Sequence, residues 1–177
     1  AEIDLMASKG VHLVHNPNSN LKLASGVMPL QALEAAGVNT ILGTDGAASN
    51  NRLDMFGEIR SAALLAKGIS GDPTVASART ALEMATIRAA EAMGRADDLG
   101  SLEVGKLADC VAVSLDEVEC QPVYNPAAQL VYVAGREHVR HVWIGGRQVL
   151  RDRQPTSLDL PALLAEVREV VGRMKAG

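Results

Sequence analysis

Two short apolar strands constrain this chain more than any other feature. VHLVH (11–15) and NTILGTD (39–45) each run into a polar loop and are followed by helical periodicity. Such alternation builds parallel sheet, because the crossover between parallel strands is right-handed and places a helix on the sheet. Two strands are too few for a sheet of this kind, which is usually covered on both faces. Residues 1–96 are therefore expected to be part of a larger β/α layer.

The helices can be placed from their punctuation. Residues 2–9 read as a helix stopped by Gly10. Residues 29–36 read as one with Pro29 in its first turn and Gly37 after its end. A long helix is predicted over 54–67, with Phe56, Ile59, Ala63 and Ala66 on one face and Gly68 beyond it, then two more over 77–84 and 86–93. HNPNSNLKLASG (15–26) reads as a loop that either closes a strand–helix junction through Asn and Ser side chains or walls a substrate pocket.

From about Asp97 the character changes to short strands: 108–113, 130–133 and 138–144, with Gly145-Gly146 turning into RQVLR (147–151) as a hairpin. Residues 159–175 carry Leu160, Leu163, Leu164, Val167, Val170, Val171 and Met174 at helical spacing, with Asp159 as N-cap. The division is thus 1–96 and 97–177.

Composition narrows the function classes. Hydrophobic residues are 47% of the chain but aromatics only 2%, so the core must be built from Ala, Val, Leu, Ile and Met. The net charge is −4 with the charges interspersed, which gives neither a nucleic-acid stripe nor a polybasic membrane helix. No apolar run approaches the roughly 20 residues that span a bilayer. Cys110 and Cys120 are ten apart and read as reduced thiols of a cytoplasmic protein. The first residues lack the basic start and apolar stretch of a signal peptide.

Asp45 is the sharpest chemical candidate. It follows an apolar strand and opens the loop GAASNN, and the carboxyl ends of strands form the active-site rim in β/α folds. A carboxylate there can bind a metal or act as a base, while an Asp-Gly turn is the plain structural alternative. His12 and His15 are three apart in one strand and so lie on opposite faces. His15, at the strand's end, is the better candidate. His138 and His141 read as surface or packing residues. GSLEVGKLADCVAV (100–113) lacks the spacing of a phosphate loop.

Five segments occur in order: HNPNSNLKLASG, ILGTDGAASNNRLDMFGEIRSAALLAKG, TALEMATIRAAEAMG, LGSLEVGKLADCVAV and VRHVWIGGRQV. The series resembles the TRZ/ATZ branch of the amidohydrolase superfamily, and within it the 5-methylthioadenosine/S-adenosylhomocysteine deaminases. The resemblance implies an α/β fold: the C-terminal part of a metal-dependent hydrolase TIM-like (β/α)8 barrel plus part of a composite β-sandwich. VHLVH and NTILGTD would be barrel strands seven and eight, and 97–177 the sandwich portion with its terminal helix.

By the same resemblance Asp45 ligates a catalytic divalent metal, with zinc the expected ion, and takes a proton from the water activated there. Ser49 lines the substrate pocket, and His15 and Asn20 shape it. The substrate would be a small molecule, a purine nucleoside or related heterocycle, and the enzyme a homo-oligomer without nucleic-acid or membrane partners. The family's His-x-His pair, its other histidines and its acid/base glutamate have no counterpart here, and a full barrel needs about 250 residues. The chain is therefore expected to be an incomplete enzyme, inactive alone. A chlorohydrolase or a guanine- or cytosine-type deaminase of the same superfamily is one alternative, and a truncated non-catalytic protein is another. Arg88 departs from the family's usual helix start, in a region expected to affect packing.

Overall fold

Residues 1–176 are described by a computed structural model. They divide into two compact units, Ala1–Lys106 with Ser114–His138, and Leu107–Val113 with Val139 onward.

In the first unit the order is α1 (Glu2–Ser8), β1 (His12–His15), α2 (Pro17–Leu23), α3 (Leu30–Ala35), β2 (Asn39–Leu42), α4 (Met55–Ser70), α5 (Ala78–Met84) and α6 (Ile87–Ala92), with α7 (Pro126–Tyr132) joining later. β1 and β2 pair in parallel, His12 opposite Asn39 through His15 opposite Leu42. Strand alternation sends His12 outward and His15 inward, as their spacing predicts. The core gathers Leu30, Leu42, Ile59, Met84 and Val131 around the alanines of α4. Those alanines let α4 approach closely where a chain so poor in aromatics has no large rings to fill a gap.

Three local expectations are corrected. Residues 15–26 are not all loop, because α2 occupies 17–23. Pro17 supplies the fixed φ of a first helical turn, and Ala24 closes the helix in the left-handed region (φ 54°). Residues 130–133 are not a strand but the end of α7. Asn125 caps that helix by accepting from the Ala128 amide at 3.1 Å, Pro126 follows, and Val131 is driven fully into the core. The Asn-Pro start outweighs the strand preference of Val and Tyr. Finally, α4 passes through Gly68 to Ser70, and Gly71 (φ 67°) is its left-handed terminus.

Arg88 ties α6 to α3. Its guanidinium pairs with Glu34 at 2.5 Å, and its carbonyl accepts from Asn39 on β2 at 3.1 Å.

The second unit is an antiparallel meander, β3 (Cys110–Val113), β4 (Val139–Ile144), β5 (Arg147–Arg151) and β6 (Gln154–Pro155), followed by α8 (Leu160–Ala176). Gly145 and Gly146 both take positive φ in the β4–β5 turn, which is the conformation a tight hairpin asks of them. Asp159 caps α8 by accepting from the Ala162 amide at 3.0 Å. The apolar stripe of α8 is exposed from Leu163 to Met174. Among the described residues no helix is long and apolar enough to cross a membrane.

Candidate active site

β1 and β2 end side by side, and the Gly43 amide continues the pairing by donating to the His15 carbonyl at 3.0 Å. Gly43 is closely approached: a Cβ there would sit 2.6 Å from Asn16 Oδ1 and 2.9 Å from Val14 Cγ1, so those side chains would have to shift to admit one. Two residues later Asp45 adopts φ 59°, a left-handed conformation that Asp tolerates better than most residues. The turn leaves the Asp45 carboxylate exposed at the carboxyl end of the sheet.

Two hydroxyls hold that carboxylate. Ser19 Oγ, from α2, and Ser49 Oγ, from the following loop, each donate to Asp45 Oδ2 at 2.7 Å. The Ser19 bond contributes most to holding the Asp45 pKa below the ordinary carboxylate value. The Ser49 bond and the Gly46 amide add to it, against a smaller opposing effect of desolvation. Folding therefore binds Asp45 in its ionised form. This contribution to stability is complete above the ordinary carboxylate pKa and is lost as pH falls through the lower folded value. Replacing Ser19 and Ser49 together by Ala should raise the Asp45 pKa, read by 13C NMR titration of its carboxyl carbon. A titration unchanged from wild type would contradict the role given to the hydroxyls.

The other residues singled out in the sequence are placed differently. His15 is 2% exposed. Burial lowers its pKa, so the ring is neutral at pH 7, and its Nδ1 has no partner among the described residues. Asn16 Oδ1 is buried and unpartnered as well. Asn20 lines a cleft of about 460 Å³ with Leu13, Ser25, Met28 and Leu33. Ser49 lines a different, polar cleft of about 400 Å³ with Asn18, Lys22, Asn50 and Glu58. The structure thus brings Asp45 and Ser49 into direct contact, with His15 buried at the adjoining end of β1 and Asn20 next in sequence to Ser19. Ser19 was missed in the sequence because its segment reads as loop. The Asn16-Pro17 helix start was the available signal, since it places Ser19 in the first turn of α2.

Asp45 fits a divalent metal as one oxygen donor, ionised and accessible. Among the described residues it belongs to no group of three metal-type side chains. The one such group is Glu117, Cys120 and His138, whose ligand atoms fall within 4.8 Å of one another. Its chemistry argues for packing. His138 Nδ1 accepts the Gly135 amide at 3.0 Å, so a neutral ring keeps its proton on Nε2 and has no lone pair to offer there. Burial, with Glu119 and Glu117 nearby, pushes the Cys120 thiol pKa up.

Residues 1–149 match the model of the amidohydrolase family. The chain belongs to the amidohydrolase family. A 5-methylthioadenosine/S-adenosylhomocysteine deaminase from Teredinibacter turnerae is 48% identical over 174 residues, covering 97% of this chain and 39% of that protein. One from Syntrophobacter fumaroxidans is 45% identical, covering 98% and 40%. Among solved structures, an adenosine deaminase from Xanthomonas campestris with bound zinc superposes with a TM-score of 0.95 at 49% identity, over 99% of this chain and 40% of that one. An atrazine chlorohydrolase from Arthrobacter aurescens complexed with zinc gives 0.88 at 31%, over 96% and 38%. This amidohydrolase chain spans about 40% of the length of the relatives it matches, as a C-terminal α/β portion of their fold.

Proposed function

We propose that this chain is the C-terminal part of a metal-dependent hydrolytic deaminase of adenosine-type thioether nucleosides, methylthioadenosine or adenosylhomocysteine. The observation that carries this reading is Asp45: an exposed carboxylate held just beyond the end of β2 by the Ser19 and Ser49 hydroxyls, in a chain nearly half identical to deaminases along almost its whole length. The 31% identity to the atrazine chlorohydrolase supports the alternative substrate class less. On this proposal 1–96 are the last strands and helices of the barrel and 97–177 the sandwich portion with its terminal helix. The enzyme would be cytoplasmic and homo-oligomeric.

Asp45 would hold a divalent metal, zinc by analogy with the metal bound in the relatives. When bound, such an ion makes hydroxide available from water near neutral pH. Asp45, accessible beside the metal it would hold, would be the group of this chain placed to receive the proton released. Ser49 would divide its hydroxyl between Asp45 and the substrate. His15 would close the strand end as a neutral, buried wall, and Asn20 would shape the loop behind it.

The test joins this chain to the rest of the Xanthomonas campestris relative in place of its matched 40%. Losing one hydrogen bond to a neutral partner costs about 0.5–1.5 kcal/mol, and up to about 3 when a buried group is left unpaired. Ser49→Ala in that chimera should lower kcat/KM for either thioether nucleoside by roughly 3- to 100-fold. Zinc content should not change. A Ser49→Ala chimera that loses thermal stability and slows all substrates equally would mark Ser49 as a loop residue only.

A further inference from the structure

α4 carries one residue that its position does not explain. Glu58 is 1% exposed on the helix face that otherwise buries Ile59, Ala62, Ala63 and Ala66. Burying a carboxylate costs several kcal/mol unless its oxygens are satisfied, and an apolar side chain would fill the same space without that cost. The oxygens of Glu58 are satisfied by three neutral donors. Asn18 donates twice, from its backbone amide to Oε2 at 3.1 Å and from Nδ2 to Oε1 at 2.8 Å, and Asn50 Nδ2 donates to Oε1 at 2.5 Å. Ser61, one turn along α4, steadies the other side of Asn18 by donating to its Oδ1 at 2.9 Å.

The identity of those donors gives the carboxylate its meaning. Asn18 is next to Ser19, and Asn50 is next to Ser49. Ser19 and Ser49 are the two residues whose hydroxyls hold Asp45. They come from separate segments, the start of α2 and the loop after β2, with 29 residues between them in the chain. The carboxylate of Glu58 joins those segments at one point.

We propose that Glu58 is a positioning residue for the Asp45 site: one buried carboxylate fixes Asn18 and Asn50, and through them sets both serines against Asp45. Glu58 does not touch Asp45 and acts only through the two segments. Its charge matters because a carboxylate offers acceptor lone pairs on both oxygens. A glutamine of the same shape offers one oxygen and turns an NH2 group toward the remaining donors, so the three bonds cannot all survive. The catalytic consequence rests on the deaminase reading above, whereas the structural consequence does not.

Both consequences are measurable in the chimera, with this chain alone as a parallel sample. Hydrogen exchange followed by mass spectrometry reads peptides covering 16–23 and 46–54. Glu58→Gln should speed exchange at least tenfold in 16–23, where the Asn18 backbone amide loses its acceptor, and Glu58→Ala, which removes both oxygens, should do so in both peptides. Asn18→Ala should speed it only in 16–23, and Asn50→Ala only in 46–54. A residue that merely stabilised the fold would loosen the core helices as well and would not separate the two arms. In the kinetics Glu58→Gln should lower kcat about 10- to 100-fold with KM within about threefold, because a small misplacement of a catalytic group costs rate more than binding. If Glu58→Gln does not fold, the two asparagine variants decide. Unchanged exchange in a folded Glu58→Gln, or both asparagine variants opening both peptides alike, would overturn the proposal. A wild-type chimera without deaminase activity would overturn the deaminase reading and leave the exchange pattern to judge Glu58.

Discussion

Asp45→Asn should abolish nucleoside deamination in the chimera, with at least a thousandfold loss in kcat/KM and the fold retained. The amide has nearly the shape of the carboxylate and can still accept from Ser19 or Ser49, whose hydroxyls sit 2.7 Å away. It cannot take up a proton near neutral pH, and as a neutral group it is a weak metal ligand. The loss should therefore appear in turnover and in zinc content together. Thermal stability should move little, because the side chain is exposed and its helices are held by the core elsewhere. Steady-state kinetics, metal analysis and a melting curve on one preparation check this. Activity within about tenfold of wild type would show that Asp45 is only the first residue of an Asp-Gly turn.

Met84→Ala should cost about 2–5 kcal/mol of stability, the range for truncating a fully buried large aliphatic side chain. Met84 is 0% exposed at the end of α5 and lies in the same cluster as Leu42 of β2 and Ile59 of α4. Removing it leaves a hole under the sheet that carries the site. Met84→Leu conserves volume and should cost less than about 1.5 kcal/mol. Urea unfolding of the three proteins measures both differences. A Met84→Ala cost below about 1 kcal/mol would mean that the packing around α5 collapses into the gap.

What could be read from the sequence, and what could not, follows from the range of the forces involved. β1, β2 and the β4–β5 hairpin were visible because strand pattern and turn residues are local signals, and Asp45 was visible because it follows an apolar strand. α7 was misread because LVYV (130–133) resembles a strand taken alone, while its cap at Asn125 and its burial against α4 decide otherwise. α2 was hidden by its polar residues, and with it Ser19. Glu58 reads as an ordinary polar position of an amphipathic helix. Only tertiary contact across 40 residues, to Asn18, shows that it is buried and what it holds. The place of Asp45 after its strand was therefore legible, and the contacts that hold its carboxylate were not.

The most direct test of the account is the substrate profile of the wild-type chimera loaded with zinc. Methylthioadenosine and adenosylhomocysteine are compared with a chlorinated triazine and with guanine, by ammonia or chloride release. The account predicts kcat/KM for at least one thioether nucleoside well above that for the triazine or guanine, and its loss on Asp45→Asn. Faster turnover of the triazine or guanine, or nucleoside deamination that survives Asp45→Asn, would contradict it.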